Sequence, residues 1–416
     1  MTPSAPPARV RTPIAVTGLG LLTPGGEGAE ATWEAVCAGR SLATRDPALD
    51  GLPVDFSCRL PLPEEDIDRA VGRKSWRMGR FAKLAVLAAR EAVRDAGLDP
   101  ATWQGARVAT VIGCGMGGTE KWEEQYLRLD RHGPGRVSPL TIPMIIPNLA
   151  AGEVSIDLGA RGVGLAPATA CASGATAIAL ARDLLAGGLC DVAVAGGTEA
   201  AVSRLCVTGF WRMGALSERA DAVAGASRPF AADRDGFVLA EGAGVLVLER
   251  AADAAARGAR PRALLAGCGS TSDAHHPTAP PDGAHGAEAA LRTALHEAGL
   301  APDDVDHVNA HGTSTPLNDA TEAALIARAL PHRPSVTATK GVLGHTLGAA
   351  GAIEAALTIL TLQHGRVPPI ANLQAPAPEF DIDCVTKQPR PQHIRAALSH
   401  SFGFGGHNVV LAFTTA

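Results

Sequence analysis

Gly164-Leu-Ala-Pro-Ala-Thr-Ala-Cys171-Ala-Ser-Gly-Ala175 runs from an apolar stretch into small residues and then into a helical pattern over 173–186. Thr337-Ala-Thr339, a Gly-rich loop and a helical pattern over 348–363 repeat that plan later in the chain. Other segments pair in the same order. Arg262 to Ala266 opens a second half as Ile14 to Leu22 opens the first. The helical pattern from Gly286 to Ala298 answers the one from Phe81 to Ala96. The strand from Val305 to Asn309, followed by His311-Gly312, answers Arg107 to Ile112 followed by Gly113. Phe237 to Glu249 and Phe402 to Phe413 each read as a Gly-centred hairpin into an apolar strand. Another strand, Asp191 to Ala195, is expected to break at Gly196-Gly197. Short apolar strands alternating with amphipathic helices predict α/β architecture with mostly parallel, right-handed crossovers. The recurrence predicts an internal duplication.

Composition bounds the function. With 416 residues, 46% of them hydrophobic, the chain can bury a large core. A net charge of −5 and the lack of a basic tract argue against nucleic acid as partner. Residues 1–12 read as a short disordered tail, not a signal peptide, and no charge-free stretch of about 18 apolar residues predicts a membrane span. Eight Cys, at 37, 58, 114, 171, 190, 206, 268 and 384, form no CxxC pair and no zinc spacing with His, so no metal is expected. Reduced thiols suit a cytoplasmic protein.

Within this frame one thiol stands out. Ala172, Ser173 and Gly174 leave Cys171 uncrowded, and the helix starting there aims free N–H groups at the sulfur. That arrangement favours thiolate and could hold an oxyanion once the sulfur attacks a carbonyl. His311 and His345 sit at similar Gly-flanked junctions, although either alone could be a hydrogen-bonded core histidine. Lys340 precedes a Gly-rich loop, and Glu354 is a lone carboxylate in a helix of Gly, Ala, Ile and Leu. A lone buried carboxylate is costly, and pairing it with Lys340 removes that cost. The adjacent His275 and His276 read as loop residues.

Here the chain resembles the β-ketoacyl-[acyl carrier protein] synthases, condensing enzymes of fatty-acid and polyketide assembly. The resemblance spans roughly residues 13–414. It rests on Thr169-Ala-Cys171-Ala-Ser-Gly174, Asn309-Ala-His311-Gly-Thr-Ser-Thr-Pro316, Lys340-Gly-Val-Leu-Gly-His345 with Gly348-Ala-Ala-Gly351 and Glu354, Ser401-Phe-Gly-Phe-Gly-Gly406, and Ser227 to Phe237.

It implies a duplicated thiolase-like fold: two mixed β-sheets with helices between and outside, layered αβαβα. Residues 13–260 would form the half carrying the nucleophile, and 261–416 the half carrying the two histidines. Cys171 would hold the acyl chain as a thioester. His311 and His345 would assist decarboxylation of malonyl-carrier protein, with Lys340 and Glu354 in electrostatic and structural support. The N–H groups of Cys171 and Phe404 would form the oxyanion hole, and the Phe402–Phe404 loop would gate the acyl pocket. No cofactor is implied, because substrates arrive on the phosphopantetheine arm of the carrier.

By position in the family, Met116, Cys206 and Phe210 would line the acyl tunnel. Residues from Leu140 to Pro147 would reach into a partner's tunnel. Arg73, Lys74, Arg77, Arg136 and Arg212 would dock the carrier protein. The partner subunit would be a second copy or a chain-length-factor-like chain. Asn318, where fatty-acid synthases usually have Gly, points to a discrete ketosynthase of a bacterial type II polyketide system, with housekeeping fatty-acid elongation as the alternative. A non-catalytic scaffold is the competing class, and the filled catalytic positions argue against it. Simple acyl transfer is a third reading that a Cys-His site could support.

Overall fold

The structure, a computed structural model, describes residues 12–416. Residues 1–11, most of the expected tail, lie outside it. Strands β1 (Ile14–Thr23), β2 (Val108–Gly113), β3 (Gly164–Leu165), β4 (Val192–Glu199) and β5 (Gly242–Arg250) lie in the order β1-β5-β4-β2-β3. Strands β6 (Ala263–Ser272), β7 (His307–Asn309), β8 (Ser335–Thr337), β9 (Asp383–Cys384), β10 (Ala396–Gly403) and β11 (His407–Thr414) lie in the order β6-β11-β10-β7-β8-β9. Apart from β9, the two orders match strand for strand. The directions match too. β1–β5 and β6–β11 are antiparallel, as are β4–β5 and β10–β11, whereas β2–β4 and β7–β10 are parallel.

The sheets are less parallel than the alternation of strands and helices predicts, since β1, β5, β6 and β11 pair only antiparallel, and the two sheets are joined. Ile14, Ala15 and Val16 of β1 pair with Leu265, Leu264 and Ala263 of β6, which joins both sheets into one hydrogen-bonded path. Pairing these first strands consumes backbone groups that would otherwise form two unprotected edges.

Helices α1 (Arg80–Asp95) and α3 (His285–Ala298) cover the outer faces of the first and second sheets. Helices α2 (Ser173–Ala186) and α5 (Ala350–His364) are sandwiched between the sheets, and α4 (Pro316–Ala329) follows the His311 loop. Every residue of α5 from Ala350 to Leu362 is buried, which its Gly- and Ala-rich sequence permits. A Cβ on Gly174 would lie 2.8 Å from the Ala352 nitrogen, and one on Gly351 would lie 2.9 Å from the Ala175 nitrogen. The two central helices therefore touch backbone to backbone at matching glycines.

Two local expectations change. β4 does not break at Gly196-Gly197 but continues to Glu199. A Cβ at Gly196 would lie 2.0 Å from the Gly244 carbonyl oxygen, and one at Gly197 2.5 Å from that of Gly348. These glycines permit close backbone approach inside a strand. Residues 237–240 form no hairpin with β5. They make isolated bridges to Leu216, His345 and Cys58, because β5 is already paired with β1 on one side and β4 on the other.

Candidate active site

Cys171 lies in a 3₁₀ turn, Ala170–Ala172, immediately before α2. The turn is sharp enough to put Ala170 at φ +49°, a left-handed conformation that disfavours a side chain. Gly403, at the end of β10, packs on this turn. A Cβ there would lie 2.4 Å from the Thr169 carbonyl oxygen, so only glycine lets the next residue come close. The Phe404 N–H reaches the Cys171 sulfur.

The sequence led us to expect a thiolate at Cys171. Instead, burial in an apolar cluster with Val202, Cys206, Val207, Phe237 and Leu347 pushes the thiol up to about 12. The Lys340 ammonium and the Phe404 N–H pull the other way without overcoming burial. The resting group is a thiol.

The histidines converge on it. His345 Nε2 lies 3.1 Å from Cys171 Sγ, and the His311 and His345 rings meet edge to face at 5.5 Å. The Leu347 N–H donates to His345 Nδ1 at 3.3 Å. Lys340 Nζ, which has only protons to offer, lies 3.3 Å from His311 Nδ1. Both Nδ1 atoms therefore accept, both protons reside on Nε2, and each ring is a neutral donor. Burial, reinforced by the Lys340 charge, holds both imidazoles well below their ordinary 6.5 and so keeps them neutral.

Lys340 also donates to the His311 carbonyl oxygen at 2.6 Å and to the Glu354 carboxylate, the pairing the sequence suggested. Burial pushes the Glu354 carboxyl up to about 7, with the ammonium opposing it. Cys171, His311 and His345 offer ligand atoms within 4.8 Å of one another, a spacing that would also suit a metal. The ammonium beside His311 opposes a cation there.

A cavity of about 390 Å³ reaches this centre, lined among others by Cys171, His311, His345, Phe402, Phe404 and Phe210. Phe402 lies 5.9 Å from the His311 ring. Of the remaining tunnel candidates, neither Cys206 nor Met116 lines the cavity. Cys206 is buried in the same apolar cluster as Cys171, and Met116 is 36% exposed. The 140–147 segment packs on the 113–118 loop, with Gly118 N–H donating to the Ile145 carbonyl at 2.9 Å.

The docking candidates separate. Arg73, Lys74 and Arg136 are exposed, and Arg212 is exposed with its guanidinium 5.6 Å from the Trp211 ring. Arg77 is half-buried and pairs with Glu153 at 2.8 Å. His276 is a loop residue whose Nδ1 accepts the N–H groups of Thr278 and Ala279, both at 3.1 Å. Asn318 lines the cavity and donates to Asp319 and Glu322.

Sequence reading missed three buried groups, Glu322, His400 and Glu199. Glu322 accepts the His311 and Gly312 N–H groups, both at 2.8 Å, and contacts His400 Nδ1 at 3.1 Å. Glu199 accepts N–H groups from Gly115 (2.9 Å), Met116 (3.2 Å) and Gly348 (3.2 Å). Its setting, an acid among Gly, Ala and Val, is the signal that exposed Glu354 and would have exposed Glu199 too.

The family models for the beta-ketoacyl synthase N-terminal domain (residues 11–254) and C-terminal domain (residues 262–374) match this chain. The chain belongs to the beta-ketoacyl synthase family. The synthase is therefore an acyltransferase of the condensing type with the thiolase-like fold. It is 43% identical over 407 residues to a 3-oxoacyl-[acyl-carrier-protein] synthase 2 of Synechocystis sp., covering 96% of this chain and 97% of the relative. Among solved structures it is similar to the ishigamide ketosynthase/chain length factor (TM-score 0.90, 32% identity, 98% of this chain and 100% of the other). It is equally similar to a structure described as a type II PKS acyl-carrier protein in complex with its ketosynthase bound to the hexaketide (0.90, 30%, 98% and 100%). Among the described residues no helix of the synthase is long and apolar enough to cross a membrane.

Proposed function

We propose that the synthase extends a Cys171-bound acyl chain by two carbons, using malonyl-carrier protein, in polyketide assembly. The supporting observation is the pair of neutral imidazoles, each with Nδ1 accepting, that converge on the Cys171 sulfur. First, Cys171 attacks the carrier thioester, and its proton leaves on the departing pantetheine thiol. The tetrahedral oxyanion rests on the Cys171 and Phe404 N–H groups. Malonyl-carrier protein then loses CO₂. The electron pair of the broken C–C bond forms an enolate whose oxygen accepts from His311 and His345 Nε2–H. Neutral donors suit this step, since they stabilise the enolate without protonating its carbon. The enolate carbon attacks the Cys171 thioester, and the thiolate leaves and takes up a proton.

The balance needs no metal or organic cofactor beyond the carrier's arm. Residues 13–260 and 261–416 supply the nucleophile and the histidines respectively. Arg73, Lys74, Arg136 and Arg212 would meet the acidic carrier. The 140–147 segment would reach into the tunnel of a partner subunit, a second copy or a chain-length-factor-like chain, in the cytoplasm. Asn318 and the solved ketosynthases support the polyketide reading. The 43% identity to the Synechocystis enzyme supports the second reading, fatty-acid elongation. Reconstitution with the producer's own carriers, with and without a Cys-less homologue, tests the choice. Extension of saturated chains alone, at rates adequate for lipid synthesis, would select the fatty-acid reading.

A further inference from the structure

The duplicated fold contains a second copy of the nucleophile turn. Ala170-Cys171-Ala172 precedes α2, and Leu347-Gly348-Ala349 precedes α5 in the same 3₁₀ conformation. Ala170 has φ +49° and Leu347 φ +46°, so the same rare backbone twist recurs at matching positions. Gly348 thus stands where Cys171 stands. The strand ends correspond as well. β4 pairs with β5 over eight residues and ends at Glu199, and β10 pairs with β11 over eight residues and ends at Gly403. In the first turn the strand-end residue is Gly403, which leaves the space before the Cys171 N–H to a reacting oxygen. In the second turn it is Glu199, whose Oε2 accepts the Gly348 N–H at 3.2 Å.

We propose that Glu199 is a built-in anion filling this second, nucleophile-free copy of the oxyanion turn, and that by filling it Glu199 positions His345. The carboxylate has no exposure to solvent and accepts three backbone N–H groups, from Gly115, Met116 and Gly348, plus the Cys114 thiol at 3.2 Å. It thereby ties the 114–116 loop of the first half to the 347–349 turn of the second. The residue before Gly348 is Leu347, whose N–H fixes the Nδ1 of His345. Loosening the turn frees that N–H and lets the proton of His345 move off the nitrogen facing Cys171. Glu199 touches no reacting atom, so it is a positioning residue. Its role in decarboxylation rests on the mechanism proposed above, whereas its role as a plug does not.

The experiment uses the full chain with Glu199→Ala and sodium formate as the probe. In the folded variant, formate raises the melting temperature at concentrations where chloride of equal ionic strength does not, and wild type shows no such rise. Malonyl decarboxylation falls at least about tenfold more than Cys171 acylation, and formate restores part of it. Absence of formate-specific stabilisation overturns the plug, whatever the enzyme's activity. Equal losses in both half-reactions, or no loss, overturn the positioning role. If wild type decarboxylates nothing, the mechanism fails, and the formate shift still decides the plug. Should the Ala variant not fold, Glu199→Gln carries the test: it keeps the volume but turns an amide N–H toward backbone donors. A decarboxylation loss exceeding the acylation loss supports the inference, and equal or absent losses contradict it.

Discussion

Lys340 Nζ lies 3.3 Å from His311 Nδ1 while its ammonium also holds the buried carboxylate of Glu354. One lysine thus fixes a tautomer and neutralises an acid. Lys340→Met is expected to lose malonyl decarboxylation by about 100-fold, as removal of a preorganised electrostatic group does. It also leaves Glu354 unpaired, at a cost of about 3–5 kcal/mol for breaking a buried pair. The double variant Lys340→Met/Glu354→Gln is expected to regain stability in urea unfolding but not the lost rate. Recovery of both would make the pair purely structural.

The neutral histidines give a signed pH dependence. His311 and His345 are held well below 6.5 in the fold. Below 6.5 the unfolded chain binds protons that the native state does not, so stability is lost as pH falls. Glu199 and Glu354, pushed up to about 7 by burial, act oppositely between their ordinary 4.5 and 7. Those terms are common to both proteins when wild type is compared with His311→Asn/His345→Asn. The difference in unfolding free energy is expected to change by about 2.7 kcal/mol per pH unit below 6.5, two groups at about 1.4 each. Urea melts from pH 7 to 5 check it, and parallel curves would mean that the histidines titrate normally in the fold.

Phe210 lines the cavity, whereas Cys206 is buried in the adjoining apolar cluster without lining it. Phe210→Ala is expected to shift products toward longer chains more than Cys206→Gly does. The same substitution removes the edge-to-face contact with Phe237 at 5.6 Å, worth about 0.5–1.5 kcal/mol. Product profiling by mass spectrometry reads the order, and a larger effect at Cys206 would reverse it.

Lys74 is exposed and forms no ion pair among the described residues, while Arg77 is held by Glu153. Lys74→Glu is expected to raise KM for acyl-carrier protein by about tenfold at low salt with little change in kcat, and the effect should shrink in high salt. Arg77→Glu would in addition lower the melting temperature by placing two carboxylates together. Salt-independent KM values would remove Lys74 from the docking surface.

The duplication was legible because each half spells the same order of apolar strands, helices and Gly junctions, and Cys171, His311, His345 and Lys340 stand at those junctions. The Lys340–Glu354 pair was legible because a lone acid in an apolar helix demands a cation. What escaped depended on space rather than order. The joining of β1 to β6 has no local signal, since edge pairing is set by how two finished sheets meet. Gly196-Gly197 reads as a breaker until Gly244 and Gly348 are known to press on it. The resting thiol follows from burial by Val202, Val207 and Phe237, which come from distant segments and outweigh the helix start that the local sequence advertises.

Cys171 carries the chain while the two imidazoles drive carbon–carbon bond formation. The most direct measurement is intact-mass analysis through one turnover. Acyl-carrier protein is expected to add one acyl mass to wild type and none to Cys171→Ala. Added malonyl-carrier protein should then strip that mass and yield a carrier-bound chain two carbons longer, with one CO₂ released. An acyl group that forms on Cys171 but persists in the presence of malonyl-carrier protein, or returns to the carrier unextended, would rule out condensation at this site.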